Sequence, residues 1–128
     1  MIDARSGLDG RFRLVGQEAL VDGKIAVVSL AAGVGSRWTE GAGVVKGLHP
    51  FCRFAGQHRS FIETHLAKSK QVGREAGNFF PHVITTGYMT NDPIRKHLEA
   101  NADYSYPGSV VLSPGQYVGL RMLSLIHI

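Results

Sequence analysis

Cysteine is almost missing from this chain: among 128 residues only Cys52 carries a thiol, so no internal disulfide can form. Met1 to Leu8 contains Asp3 and Arg5 and lacks the apolar stretch of a secretory leader. No apolar run approaches the ~20 residues that span a bilayer. These absences predict a cytoplasmic protein with no membrane partner. The six histidines include no His-x-x-x-His pair and no Cys–His cluster, and His58 and His65 merely straddle a helix start. That spacing excludes a protein-held zinc site of the usual kind. Internal repeats and a dividing linker are also missing, and the length suits one domain.

Two familiar phosphate-binding patterns are absent as well. No Gly is followed by Lys-Ser or Lys-Thr, which excludes a P-loop. Gly33-Val34-Gly35 supplies the first two glycines of a dinucleotide fingerprint, but Trp38 occupies the third position. The acidic residue that would hold a ribose some twenty positions on is missing around Arg53 and Phe54. An NAD(P)-binding domain is therefore disfavoured.

What remains is concentrated between Lys24 and Phe51. Ile25-Ala26-Val27-Val28-Ser29-Leu30 is a short, β-branched apolar run that reads as a buried strand. Ala31, Ala32, Gly33, Gly35, Ser36 and Arg37 follow it, then Gly41, Gly43 and Lys46. Small residues let backbone N–H groups approach an anion, and two cations add full charges beside them. The combination is a phosphate cradle. The net charge of +4 is also placed here: residues 37–74 hold seven Lys or Arg against two Asp or Glu, a balance of +5. These cations flank the glycine loop, which suits a nucleoside triphosphate better than nucleic acid.

The coarse pattern alternates helix and strand. Residues 12–21 read as a short helix closed at Asp22-Gly23, and Leu48 to Phe54 as an irregular or weakly extended passage around Pro50. Ser60 and Glu63 form a capping box for a helix ending near Gly73. His82 to Thr86 is a second buried strand delivering Thr85 and Thr86 to the sheet's carboxyl edge. Asp92 as N-cap and Pro93 at the first position start another helix, and Ser109 to Leu112 is a third strand. An α/β fold with a largely parallel sheet, helices on both faces and the first strand central is expected. Ligands then bind beyond the carboxyl ends of the strands, where the glycine loop, Thr86 and Ser113 to Gln116 converge.

The loop Gly33-x-Gly-Ser-Arg37, with Lys46 nine residues on, resembles the signature of the sugar-1-phosphate nucleotidyltransferases. It is most similar to the UTP-dependent branch, the UDP-glucose and UDP-N-acetylglucosamine pyrophosphorylases. His58 to Ile62 resembles that branch's entry into its first long helix. Ile84 to Asp92 resembles its Met-Thr-Ser-x-x-Thr-His strand end, and Gln116 falls where a nucleotide-contacting glutamine is common. Val45 stands where relatives carry Pro, Ala32 replaces a common Gly and Gly87 replaces Ser. The resemblance spans roughly residues 24–122 and implies a Rossmann-like, three-layer α/β/α nucleotidyltransferase domain of the GT-A type.

It also implies partners and roles. UTP and a sugar-1-phosphate would be joined to UDP-sugar with release of pyrophosphate, and Mg²⁺ would bridge phosphates. Ala31, Ala32, Gly33, Gly35 and Ser36 would cradle the triphosphate, while Thr86 and Gln116 would contact the nucleotide. Arg37 would bind the β- and γ-phosphates and Lys46 a phosphate near the reacting position. The family's catalytic domain is longer, so residues 24–123 read as its N-terminal part, 1–23 as a helical extension and 124–128 as a non-native tail. The metal carboxylate and the sugar pocket are expected outside this chain. A non-catalytic nucleotide-binding module or a pseudoenzyme of the same fold is the competing class, kept open by Val45 and Ala32.

Overall fold

The computed structural model describes residue 7, residues 9–35 and residues 45–115. Helix α1 (Gly10–Val21) starts where the Asp9 side chain accepts from the Arg11 N–H at 2.9 Å and ends at Gly23, whose φ of 66° closes the turn. Strand β1 (Val27–Leu30) begins two residues after Ile25, because ladder bonding opens with the Val27 N–H donating to the Pro81 carbonyl. A short 3-10 turn, Lys46–Leu48, leads into β2 (Pro50–Phe54) and β3 (Gln57–Ser60). The passage expected to be irregular or weakly extended is thus an extended strand, paired with β3 in an antiparallel hairpin. Its turn is Ala55-Gly56 with φ of 47° and 78°, the left-handed pair that a tight two-residue connection needs.

Helix α2 (Phe61–Ala76) is capped by Ser60, whose hydroxyl accepts from the Glu63 N–H at 3.2 Å. Only that half of the capping box is made, because the Glu63 carboxylate takes the Arg59 guanidinium. The helix runs past Gly73. A Cβ there would lie 2.6 Å from the Phe79 ring, so this glycine serves close packing, and Gly77 (φ 71°) is the true stop. Strand β4 (His82–Thr86) follows, then helix α3 (Asn91–Ala100). Thr90 is the residue flanking its start, not Asp92: the Thr90 hydroxyl accepts from the Gly87 N–H at 2.8 Å and folds the chain back one turn earlier. Pro93 then occupies the first turn, where its missing N–H costs nothing. After a left-handed turn at Ala102–Ser105 the chain enters β5 (Val110–Pro114).

The fold is mixed α/β with a three-stranded parallel sheet in the order β1-β4-β5. The central strand is β4. The expectation that the first strand is central is therefore corrected: β1 pairs with β4 alone and lies at the margin of the described sheet. Both crossovers step in the same direction, which places right-handed connections on one side. Accordingly α2 and α3 pack on the same face, where Ile62, Leu66, Ile94 and Leu98 meet Ile84, with Val110 and Leu112 against them. Among the described residues the other face carries no helix layer, and Leu30 is 86% and Val28 58% exposed upon it. Among the described residues only two of the three expected layers are seen, and α1 packs on α2, with Asn78 Nδ2 just beyond α2 donating to the Val21 carbonyl.

A titratable group sits inside the covered face. His82 is 1% exposed, its Nε2 lies 2.8 Å from the Ser29 hydroxyl and its Nδ1 3.0 Å from that of Ser69. The imidazole so ties β1 to β4 and β4 to α2. Burial, with His65 nearby, pushes its pKa below the ordinary histidine value, so it stays neutral inside the core.

Candidate functional site

A cavity of about 510 Å³ runs along β1, from Val27 to Leu30 and on past its end, against the first turns of α2. Its lining includes Ala31, Gly33 and Lys46 from the glycine-rich segment and Gly47, Phe61 and His65 around them. Two contacts assemble this corner. The Lys46 N–H donates to the Gly33 carbonyl at 3.1 Å, and the Lys46 side chain runs alongside Gly33, within 3.6 Å of where a Cβ would stand. Gly47 is buried below them: a Cβ would come within 3.2 Å of the Ile62 side chain and 3.4 Å of Ala31. The chain between Gly33 and Lys46 thus leaves and returns at one point, and the small residues let it do so.

The carboxyl edge of the sheet gathers the other segments. The Ala31 N–H donates to the Thr85 carbonyl at 2.9 Å, Gly87 lies against the Ala32 carbonyl, and the Gly115 N–H donates to the Thr86 carbonyl at 2.8 Å. Gly35 adopts φ 71°, a conformation that suits glycine in the segment leading away. Ala31, Ala32, Gly33 and Lys46 are therefore brought together at the edge where ligands bind in parallel sheets.

Thr86 reaches that edge only through its backbone. Its side chain is 2% exposed and its hydroxyl donates to Asn91 Oδ1 at 2.9 Å, so it anchors the start of α3 and offers nothing to a nucleotide. The period-2 alternation explains this: Thr86 shares the covered face with His82 and Ile84, and Thr85 takes the other. Ser36, Arg37 and Gln116 lie outside the described residues, as does Trp38.

Phe61 and His65 went unmarked in the sequence as site residues, although they stand four apart on α2 and so share a flank. Helical spacing was the available signal; what was lacking was knowledge of which strand that flank faces. Electrostatically the lining is one-sided. Among the described residues that line it, Lys46 is the one Lys, Arg, Asp or Glu, a donor that suits an anion and does not by itself suit Mg²⁺, which takes oxygen ligands. Among the described residues no helix is long and apolar enough to cross a membrane.

Compared with known proteins, the chain matches no family model and no curated sequence.

Proposed function

We propose that residues 24–123 form the nucleotide-binding part of a sugar-1-phosphate nucleotidyltransferase, with UTP as the nucleotide. The observation that supports it best is the return of Lys46 to Gly33 at the carboxyl end of β1, both facing one cavity. In the proposed reaction an oxygen of the sugar-1-phosphate attacks the α-phosphorus of UTP, and the bond to pyrophosphate breaks. Such chemistry asks chiefly for alignment and charge neutralisation. Lys46 would hold a phosphate oxygen, Arg37 the distal phosphates, and the Ala31–Ser36 backbone the remainder. Mg²⁺ would arrive on the triphosphate, its protein ligand being none of the residues lining this cavity.

A binding-only reading draws support from the same lining, which among the described residues has a cation and no carboxylate. Turnover separates the two. In a chain extended to include the metal carboxylate and sugar pocket that the resemblance implies, UTP and a sugar-1-phosphate should release pyrophosphate. Lys46→Ala or Arg37→Ala should each lower turnover by about 10²–10³, the scale of losing one group that stabilises transition-state charge. Pyrophosphate release that neither variant reduces would refute the assignment of these cations. UTP binding without any pyrophosphate release would favour the binding module.

A further inference from the structure

A second cavity, of about 800 Å³, lies between the β2–β3 hairpin and a different flank of α2. Its size is in the range of small-molecule sites. Glu63, Ala67 and Gln71 stand at spacings of four along that flank, offset from the core positions Ile62, Leu66 and Ser69. The hairpin closes the other side with Phe51 and Phe54. Phe54 is 74% exposed, and Phe51 has one ring face stacked on Phe61 at 4.0 Å while still lining the cavity. Aromatic rings held open to solvent beside a packed helix are a platform for a further planar ring.

The charges around it are specific. Arg59 is neutralised by Glu63, and Lys68 makes no ion pair among the described residues. The lining is thus an aromatic and aliphatic floor with one uncompensated positive charge. We propose that this groove is a binding site for a planar aromatic anion, its rings against Phe51 and Phe54 and its acidic group on Lys68. The site is separate from the Lys46 cavity and does not depend on the nucleotidyltransferase reading.

Cys52 lines the groove and is the only cysteine of the chain, which makes it a reporter of occupancy. The probe is 1-anilinonaphthalene-8-sulfonate, compared with its uncharged analogue N-phenyl-1-naphthylamine. The sulfonate should slow alkylation of Cys52 by iodoacetamide in a saturable way, and UTP should not relieve that protection. Phe54→Ser should weaken the protecting affinity about tenfold, and Lys68→Glu about fivefold or more for the sulfonate while sparing the neutral dye. Both side chains are exposed, so neither change threatens the fold. Dye fluorescence without protection of Cys52 would place the dye elsewhere, on the open sheet face for instance, and overturn the proposal. Equal loss of both dyes in Lys68→Glu would overturn the charge assignment.

Discussion

At the scale of single residues, His82 shows how a polar side chain becomes a structural one. Both ring nitrogens have hydroxyl partners, so one serine donates to the imidazole and the other accepts from it. Ser69→Ala removes one partner from a buried ring and should cost about 1–3 kcal/mol, read by denaturant unfolding. The pH dependence follows from the lowered pKa. Unfolded chain takes up a proton near the ordinary value of 6.5, and the folded imidazole only at lower pH. Between those points the unfolded state binds more protons. Stability is therefore full above pH 6.5, falls as the pH drops through that window, and levels once the folded ring also protonates. His82→Gln should flatten this acid limb; a limb of unchanged steepness would assign it to other groups. In the sequence His82 read only as the first residue of a strand, because its partners stand 53 positions before it and 13 before it.

Elements were legible where local chemistry sets them and less so where packing does. The strand at His82–Thr86 follows from its β-branched run, and α2 from Ser60 and Glu63. The hairpin was hidden because alanine is a poor marker for a left-handed turn position, where Asn or Gly would have announced it. Gly73 misled as a stop because its reason, the Phe79 ring, lies beyond the helix. These findings predict gains in stability. Ala55 (φ 47°) and Ala102 (φ 46°) are exposed and held in the left-handed region. That conformation costs a side-chain-bearing residue roughly 1–2 kcal/mol. Ala102→Gly relieves it while adding roughly 0.5–1 kcal/mol of backbone entropy. Ala55→Asn and Ala102→Gly should each stabilise by about 0.5 kcal/mol. A lower Tm in both variants would contradict the turn geometry.

For the whole molecule, the alternating pattern gave the parallel sheet, but strand order was beyond local reading. The first strand was expected in the centre and stands at the margin, since order depends on which faces the connections choose. The consequence is an open apolar face bearing Val28, Leu30 and Val111. Faces of this kind promote association. The chain should self-associate with rising concentration, and Leu30→Lys should shift it toward monomer in sedimentation while leaving its unfolding midpoint nearly unchanged. An equally associated variant would show that this face is not the contact. That Ala31, Gly33 and Lys46 meet beyond the strand was readable, because a strand end followed by small residues lets the chain return close to where it leaves. Thr86 stands at the expected edge, which it reaches by its backbone, with its side chain turned into the core; that orientation depends on which face α2 and α3 cover.

The central claim is that the corner formed by Gly33 and Lys46 receives a nucleoside triphosphate. Calorimetric titration of the chain with UTP, beside its Lys46→Ala variant, tests it most directly. The account predicts saturable binding that weakens about tenfold when the lysine ammonium is lost, the scale of one charge-assisted phosphate contact. Binding of equal strength in the variant, or no UTP binding by the unaltered chain, would contradict it.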